Sequence, residues 1–194
     1  MPARPRGAHN EPRRDVAVLL RAVAAAVTST TAALTDARRP PSDTAAVHHA
    51  LLLAESSFAQ DRSEPQRPGA PQPDWRAALI AGRRAERGGR RLPEHHDPNR
   101  RDRPGEDRPG PAARARLTGR ADDVAGAYRG LTDRLDEGPD RTVTDRRPTT
   151  GPGPPSAATG RADTPVTAPP PLYGTDTWLR GLAADLVRVT APTG

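Results

Sequence analysis

The side chains best suited to chemistry in this chain are its five histidines, its arginines and the run Glu94-His95-His96-Asp97. Four ligand-type residues in succession suggest a metal. A metal, however, takes its ligands from positions that converge on a folded frame with supporting hydrogen bonds. This run lies between Pro93 and Pro98, where neither is expected. His9 falls in a polar N-terminal tail, and His48 and His49 flank Val47 in a helical pattern. Nucleophilic catalysis needs a base held rigidly beside a nucleophile, and no histidine has that setting. There is no cysteine, which removes thiolate chemistry, thiolate metal sites and disulfides. Phosphate-loop, nucleophile-elbow and dinucleotide fingerprints are absent as well. We therefore expect no catalytic, cofactor or metal residues, no cofactor, and a protein that is not an enzyme.

Arginine is the second chemistry. All 30 basic residues are Arg, and the net charge is +6. Between Arg76 and Arg120 there are 13 Arg against 6 acidic residues, so the positive charge is focused in the middle of the chain. Arginine neutralises phosphates and stacks on bases. The expected nucleic-acid contacts are Arg83, Arg84, Arg87, Arg90, Arg91, Arg100, Arg101 and Arg103. Interspersed acids and a lack of interleaved aromatics favour a solvated polyampholyte linker over such a site. Codon bias weakens the case further. Ala, Gly, Arg and Pro supply 104 residues, whereas Phe, Tyr, Met, Ile, Asn and Lys together supply 7. That skew implies a GC-rich bacterial genome, which inflates arginine regardless of function.

Whatever positions these groups must be built from little apolar bulk. Leu, Ile, Val and Phe number 27 of 194, below the roughly one fifth that marks disorder-prone chains. Proline contributes 24 residues and glycine 17. PxxP matches such as 68–71 and 152–155 arise by chance in such a chain and read as spacers. The apolar residues that do exist are ordered. Val16, Leu20, Val23, Val27, Thr30 and Leu34 are spaced 4-3-4-3-4, a one-faced helix stripe. Val47, Leu51, Ala54 and Phe58 repeat it at 4-3-4, with Leu52 and Leu53 widening the stripe. Leu117, Ala121, Val124, Tyr128, Leu131 and Leu135 repeat it again, and so do Trp178, Leu182, Leu186 and Val189.

Caps and breakers set the boundaries. Residues 1–11 read as a disordered tail. Residues 12–60 read as an antiparallel helical hairpin, with Pro12 in a first turn, Pro40-Pro41 as a break and Ser42 or Asp43 as the second cap. Residues 61–111 read as a Pro/Arg-rich disordered linker, with a short helix at 74–87 capped by Asp74 and stopped by Gly88-Gly89. A helix follows at 112–137, then a Pro/Gly/Thr-rich linker at 138–174 in which Pro169-Pro170-Pro171 favours polyproline II. Thr175 or Asp176 caps a last helix at 175–190. The fold class is thus mostly α with extensive disorder: a hairpin plus two further amphipathic helices, and no convincing β-sheet.

No apolar run reaches the ~18 residues of a membrane span, so none is expected. Arg13-Arg14 before the apolar stretch 16–27 imitates a twin-arginine export signal, but Asp15 and Arg21 interrupt it. A cytoplasmic location is expected. The functional expectation is a non-enzymatic helical interaction or scaffold-type protein whose stripes pack with one another, with a second copy or with a protein partner. The alternatives are a nonspecific nucleic-acid binder using residues 76–120 and a weakly constrained reading frame.

Overall fold

Each apolar stripe forms a helix, and the helices bury their stripes against one another. The computed structural model describes residues 11–36, 39, 44–63, 74–94, 110–136 and 170–190. Among them are five helices and no strand: α1 (Glu11–Thr35), α2 (Ala45–Ser63), α3 (Trp75–Glu94), α4 (Pro111–Asp136) and α5 (Pro170–Thr190). Helix α1 packs on α2, α3 and α4, and α5 closes the bundle by packing on α3 and α4. Four helices thus form a ring, α1–α4–α5–α3. Helix α2 lies outside it on α1 and α3.

Side-chain pairs give the directions. Ser57 donates to Asp15, so α2 runs antiparallel to α1. Arg21 pairs with Asp136 near the end of α4, so α4 is antiparallel to α1 as well. Arg84 meets Asp185, and Gly88 meets Trp178, so α3 and α5 are antiparallel. Arg120 pairs with Asp176 and Tyr128 with Leu182, so α4 and α5 run parallel.

The aliphatic core sits where α1 meets its neighbours. Val16, Leu20, Val23, Val27 and Leu34 are buried, and so are Leu19 and Ala24 beside them. Val47 and Leu51 from α2, and Leu117, Val124, Tyr128, Leu131 and Leu135 from α4, join the same cluster. From α5 come Trp178, Leu179, Leu182 and Val189, while Phe58 and Leu186 are half-buried at its margin. Threonine is a poor helix former, yet α1 holds four. The Thr28 hydroxyl donates to the Ala24 carbonyl and that of Thr35 to the Thr31 carbonyl, so these two are satisfied within the helix itself, whereas the buried hydroxyls of Thr30 and Thr31 have no hydrogen-bond partner among the described residues.

Four sequence expectations change. Gly88-Gly89 do not stop α3, which continues to Glu94. Glycine is needed there for close packing: a methyl group on Gly88 would overlap the Trp178 indole, and one on Gly89 would press on Thr44. Leu52 and Leu53 do not widen the α2 stripe; they are 52 % and 43 % exposed, because α2 touches only two helices and buries a narrow face. Helix α5 begins at Pro170, with Thr175 and Asp176 inside it, since proline is tolerated in a first turn whose N–H groups have no partner anyway. Lastly, the helix spanning Pro12–Thr35 is long and apolar enough to cross a membrane by length and composition. Alanine and threonine dilute its apolar side chains without adding charge. More than half of its most apolar window is buried in the bundle. Asp74 does cap α3, accepting from the Ala77 amide at 3.0 Å. Ser42 and Asp43 lie outside the described residues.

Candidate polyanion-binding face

Helix α3 is built from small and charged residues segregated onto opposite sides. Its buried side is Ala77, Ala78, Ala81, Gly82, Ala85, Gly88 and Gly89. Such small residues let the α3 backbone approach its neighbours closely. A methyl on Gly82 would stand 2.9 Å from the Leu19 Cδ1 atom. Its exposed side carries Arg76, Ile80, Arg83, Arg87 and Arg90, spaced 4-3-4-3, with Arg91 beside them. No other helix concentrates charge this way. Helix α3 has six arginines against two glutamates, whereas α4 has five against four aspartates and α5 two against two.

The arginines differ in what they already hold. Arg83 donates to the same Glu55 oxygen from Nε at 3.0 Å and from Nη2 at 2.7 Å, tying α2 to α3. Arg90 reaches Glu86 at 3.6 Å, and Glu86 also meets His48 at 3.0 Å. Arg76 and Arg87 are exposed and make no ion pair among the described residues. Arg84 leaves the face altogether. Its Nε donates to Asp185 at 2.7 Å, and the Asp185 side chain is only 2 % exposed. Burial of a carboxylate is costly unless it is paired and hydrogen-bonded, so this arginine is committed to the α3–α5 contact. Arg100, Arg101 and Arg103 lie outside the described residues, as do His95, His96 and Asp97.

Two further polar links hold α5, one to α3 and one to α4. The Trp178 indole N–H donates to the Arg84 carbonyl at 3.0 Å, and the Tyr128 hydroxyl donates to the Leu182 carbonyl at 2.8 Å. Burial, reinforced by the nearby Asp185 charge, pushes the Tyr128 phenol well above its ordinary range. The sequence does not reveal Asp185 as a partner, because a charge beside Leu186 looks like a solvent position. The arginine face was legible from its 4-3 spacing, but only once the Ala/Gly side is accepted as a packing surface.

One concavity, of about 320 Å³, lies between the end of α1 and the start of α4. Thr28, Thr31, Thr35, Arg39, Thr118 and Asp122 line much of it. The hydroxyls of Thr28 and Thr35 are turned to their own helix carbonyls, so they present mostly methyl groups. His48 and His49 are on α2, which does not border it. Among the described residues no three His, Cys, Asp or Glu side chains cluster in a way that could hold a metal ion. No family model, curated protein or solved structure matches this chain.

Proposed function

We propose that this chain is a non-enzymatic helical-bundle accessory protein that binds an anionic polymer through the solvent face of α3. The observation that carries the reading is the unbalanced arginine on one face of one helix, when every other helix mixes its charges. Codon bias raises the number of arginines but does not explain why acids nearly match them on α4 and fall far short of them on α3. The packing stripes support the reading indirectly: they are buried against one another, so a partner is not needed to cover them. Exposed cations that are not already paired are the ones available to phosphates or sulfates. That makes Arg76 and Arg87 the principal contacts, joined by Arg90 and Arg83, which Glu86 and Glu55 hold in part.

Heparin retention tests this directly. The chain should bind immobilised heparin at ~50 mM salt and elute as salt rises. Replacing Arg76, Arg87 and Arg90 together by Gln should abolish retention while leaving helical circular dichroism unchanged. Equal retention of the folded triple variant refutes the reading.

Leu52 and Leu53 favour a second reading, self-association through α2. The outward residues of α2 around them, Ala45, Ala46, His49, Ser56 and Ala59, carry no formal charge at neutral pH. Two copies can therefore meet about a two-fold axis without like-charge repulsion. Sedimentation equilibrium decides it: a dimer dispersed by Leu52→Glu is expected, and a monomer at all concentrations excludes it.

A further inference from the structure

We infer that the polymer taken by α3 is duplex nucleic acid, gripped by its phosphates without any reading of the bases. This rests on the arginine-face reading and narrows it on three observations.

The first is the setting of α3. To read bases, a helix must enter a major groove about 12 Å wide with base edges some 8.5 Å down, and a helix with side chains is itself 10–12 Å across. Helix α3 has α1, α2 and α5 packed against it, so only one ridge faces outward. A ridge can lie along the phosphates at the lip of a groove but cannot descend into it.

The second is the position of the aromatics. Single-strand binders stack bases on aromatic faces, at about 1–3 kcal/mol per base. Here Trp75, Trp178 and Tyr128 are buried. Phe58 is half-buried beneath Arg62, whose guanidinium lies 5.9 Å from the ring centre. None of the described aromatic side chains is placed beside the arginines to receive a base.

The third is charge density. With stacking removed, affinity follows the phosphates alone. A duplex presents one charge per ~1.7 Å of axis and a single strand about half that density. Arg83, Arg87 and Arg90 span seven residues, about 10 Å of helix at 1.5 Å per residue, and Arg76 extends the row by about as much again. A straight, rigid row of this kind matches a regular duplex edge better than a coiling strand. A lipid surface fits less well. Interfacial helices bury a bulky apolar face in the membrane, whereas the small-residue face of α3 is already covered, leaving only Ile80 among its arginines.

Fluorescence anisotropy on the full chain tests the inference with five probes: a labelled duplex, a second duplex of scrambled sequence, one of its single strands, heparin, and vesicles rich in anionic lipid. The two duplexes should bind equally and several-fold tighter than the strand or the vesicles. If about three phosphates are neutralised, affinity should fall about 40-fold between 50 and 200 mM salt. Arg87→Gln should make the log–log salt slope shallower by about one. Tighter binding to the single strand or the vesicles, or a marked preference between the duplexes, overturns the inference while heparin binding still upholds the arginine face. Failure of every probe, heparin included, overturns both.

Discussion

Helices α3 and α4 carry three glycines each, and the two sets do opposite things. On α3, a methyl group added at Gly82, Gly88 or Gly89 would meet Leu19, Trp178 or Thr44. On α4, one added at Gly119, Gly126 or Gly130 would meet nothing within 4 Å. Glycine costs a helix about 1 kcal/mol relative to alanine wherever it sits. On α3 that cost is offset by backbone approach and by the contacts it permits. On α4 nothing in the structure offsets it. The same residue therefore marks a seam in one helix and a tolerated weakness in the other.

The largest effect expected from breaking this contrast is at Gly88. Gly88→Ala forces the Trp178 ring away from α3 and strains its hydrogen bond to the Arg84 carbonyl. Overpacking of this kind costs about 3 kcal/mol, to be read as a drop in urea midpoint; an unchanged midpoint would show that α5 does not seat on α3 as described. Arg84→Ala comes next. It leaves the buried Asp185 carboxylate without its cation. Breaking a buried pair costs several kcal/mol, and because the Arg84 side chain is 42 % exposed we discount this to about 2 kcal/mol. Arg83→Ala, on a more exposed pair, should cost well under half as much in the same titration.

Tyr128→Phe follows, at about 1 kcal/mol for one lost hydrogen bond. It also has a pH dependence whose sign is set by the raised phenol. Unfolded tyrosine ionises near pH 10, while the buried Tyr128 holds its proton beyond that point. Its contribution to stability is therefore intact below about pH 10 and is lost as pH rises further. Denaturation of the wild type at rising alkaline pH should show this decline, and the Phe variant should show less of it. The smallest effect has the opposite direction. Gly126→Ala should stabilise the bundle by about 0.5–1 kcal/mol, and a loss of stability there would contradict the open space around Gly126.

The contrast also explains what could be read from the sequence. Helices α1 and α4 declare themselves through Leu and Val at 4-3 spacing, and those residues are buried. The full α3 is harder to see, because between Trp75 and Leu92 the half-buried Leu79 is the one large apolar side chain on its packed side. Periodicity of apolar bulk cannot detect a face made of Ala and Gly, and Gly88-Gly89 then resemble a stop. Leu19 and Leu179 fall beside their stripes in the sequence but are fully buried, because α1 and α5 each serve several neighbours. Leu52 and Leu53 err the other way, since apolar character alone does not say how many helices will cover α2. Of the eight arginines singled out for phosphate contact, Arg84 shows the limit most clearly. Its role depends on Asp185, 101 positions away, and no local pattern carries that information.

The Trp178 indole has an optical consequence. Both tryptophans of the chain belong to the α3–α5 half of the bundle, and both are buried, at 8 % exposure for Trp75 and 7 % for Trp178. Intrinsic emission therefore watches that half, whereas far-ultraviolet dichroism averages over all five helices. If α5 lifts from its seat before α1 and α4 part, the emission will shift red while most of the ellipticity remains. The molecule thus carries its own dye at a seam where glycine sets the approach.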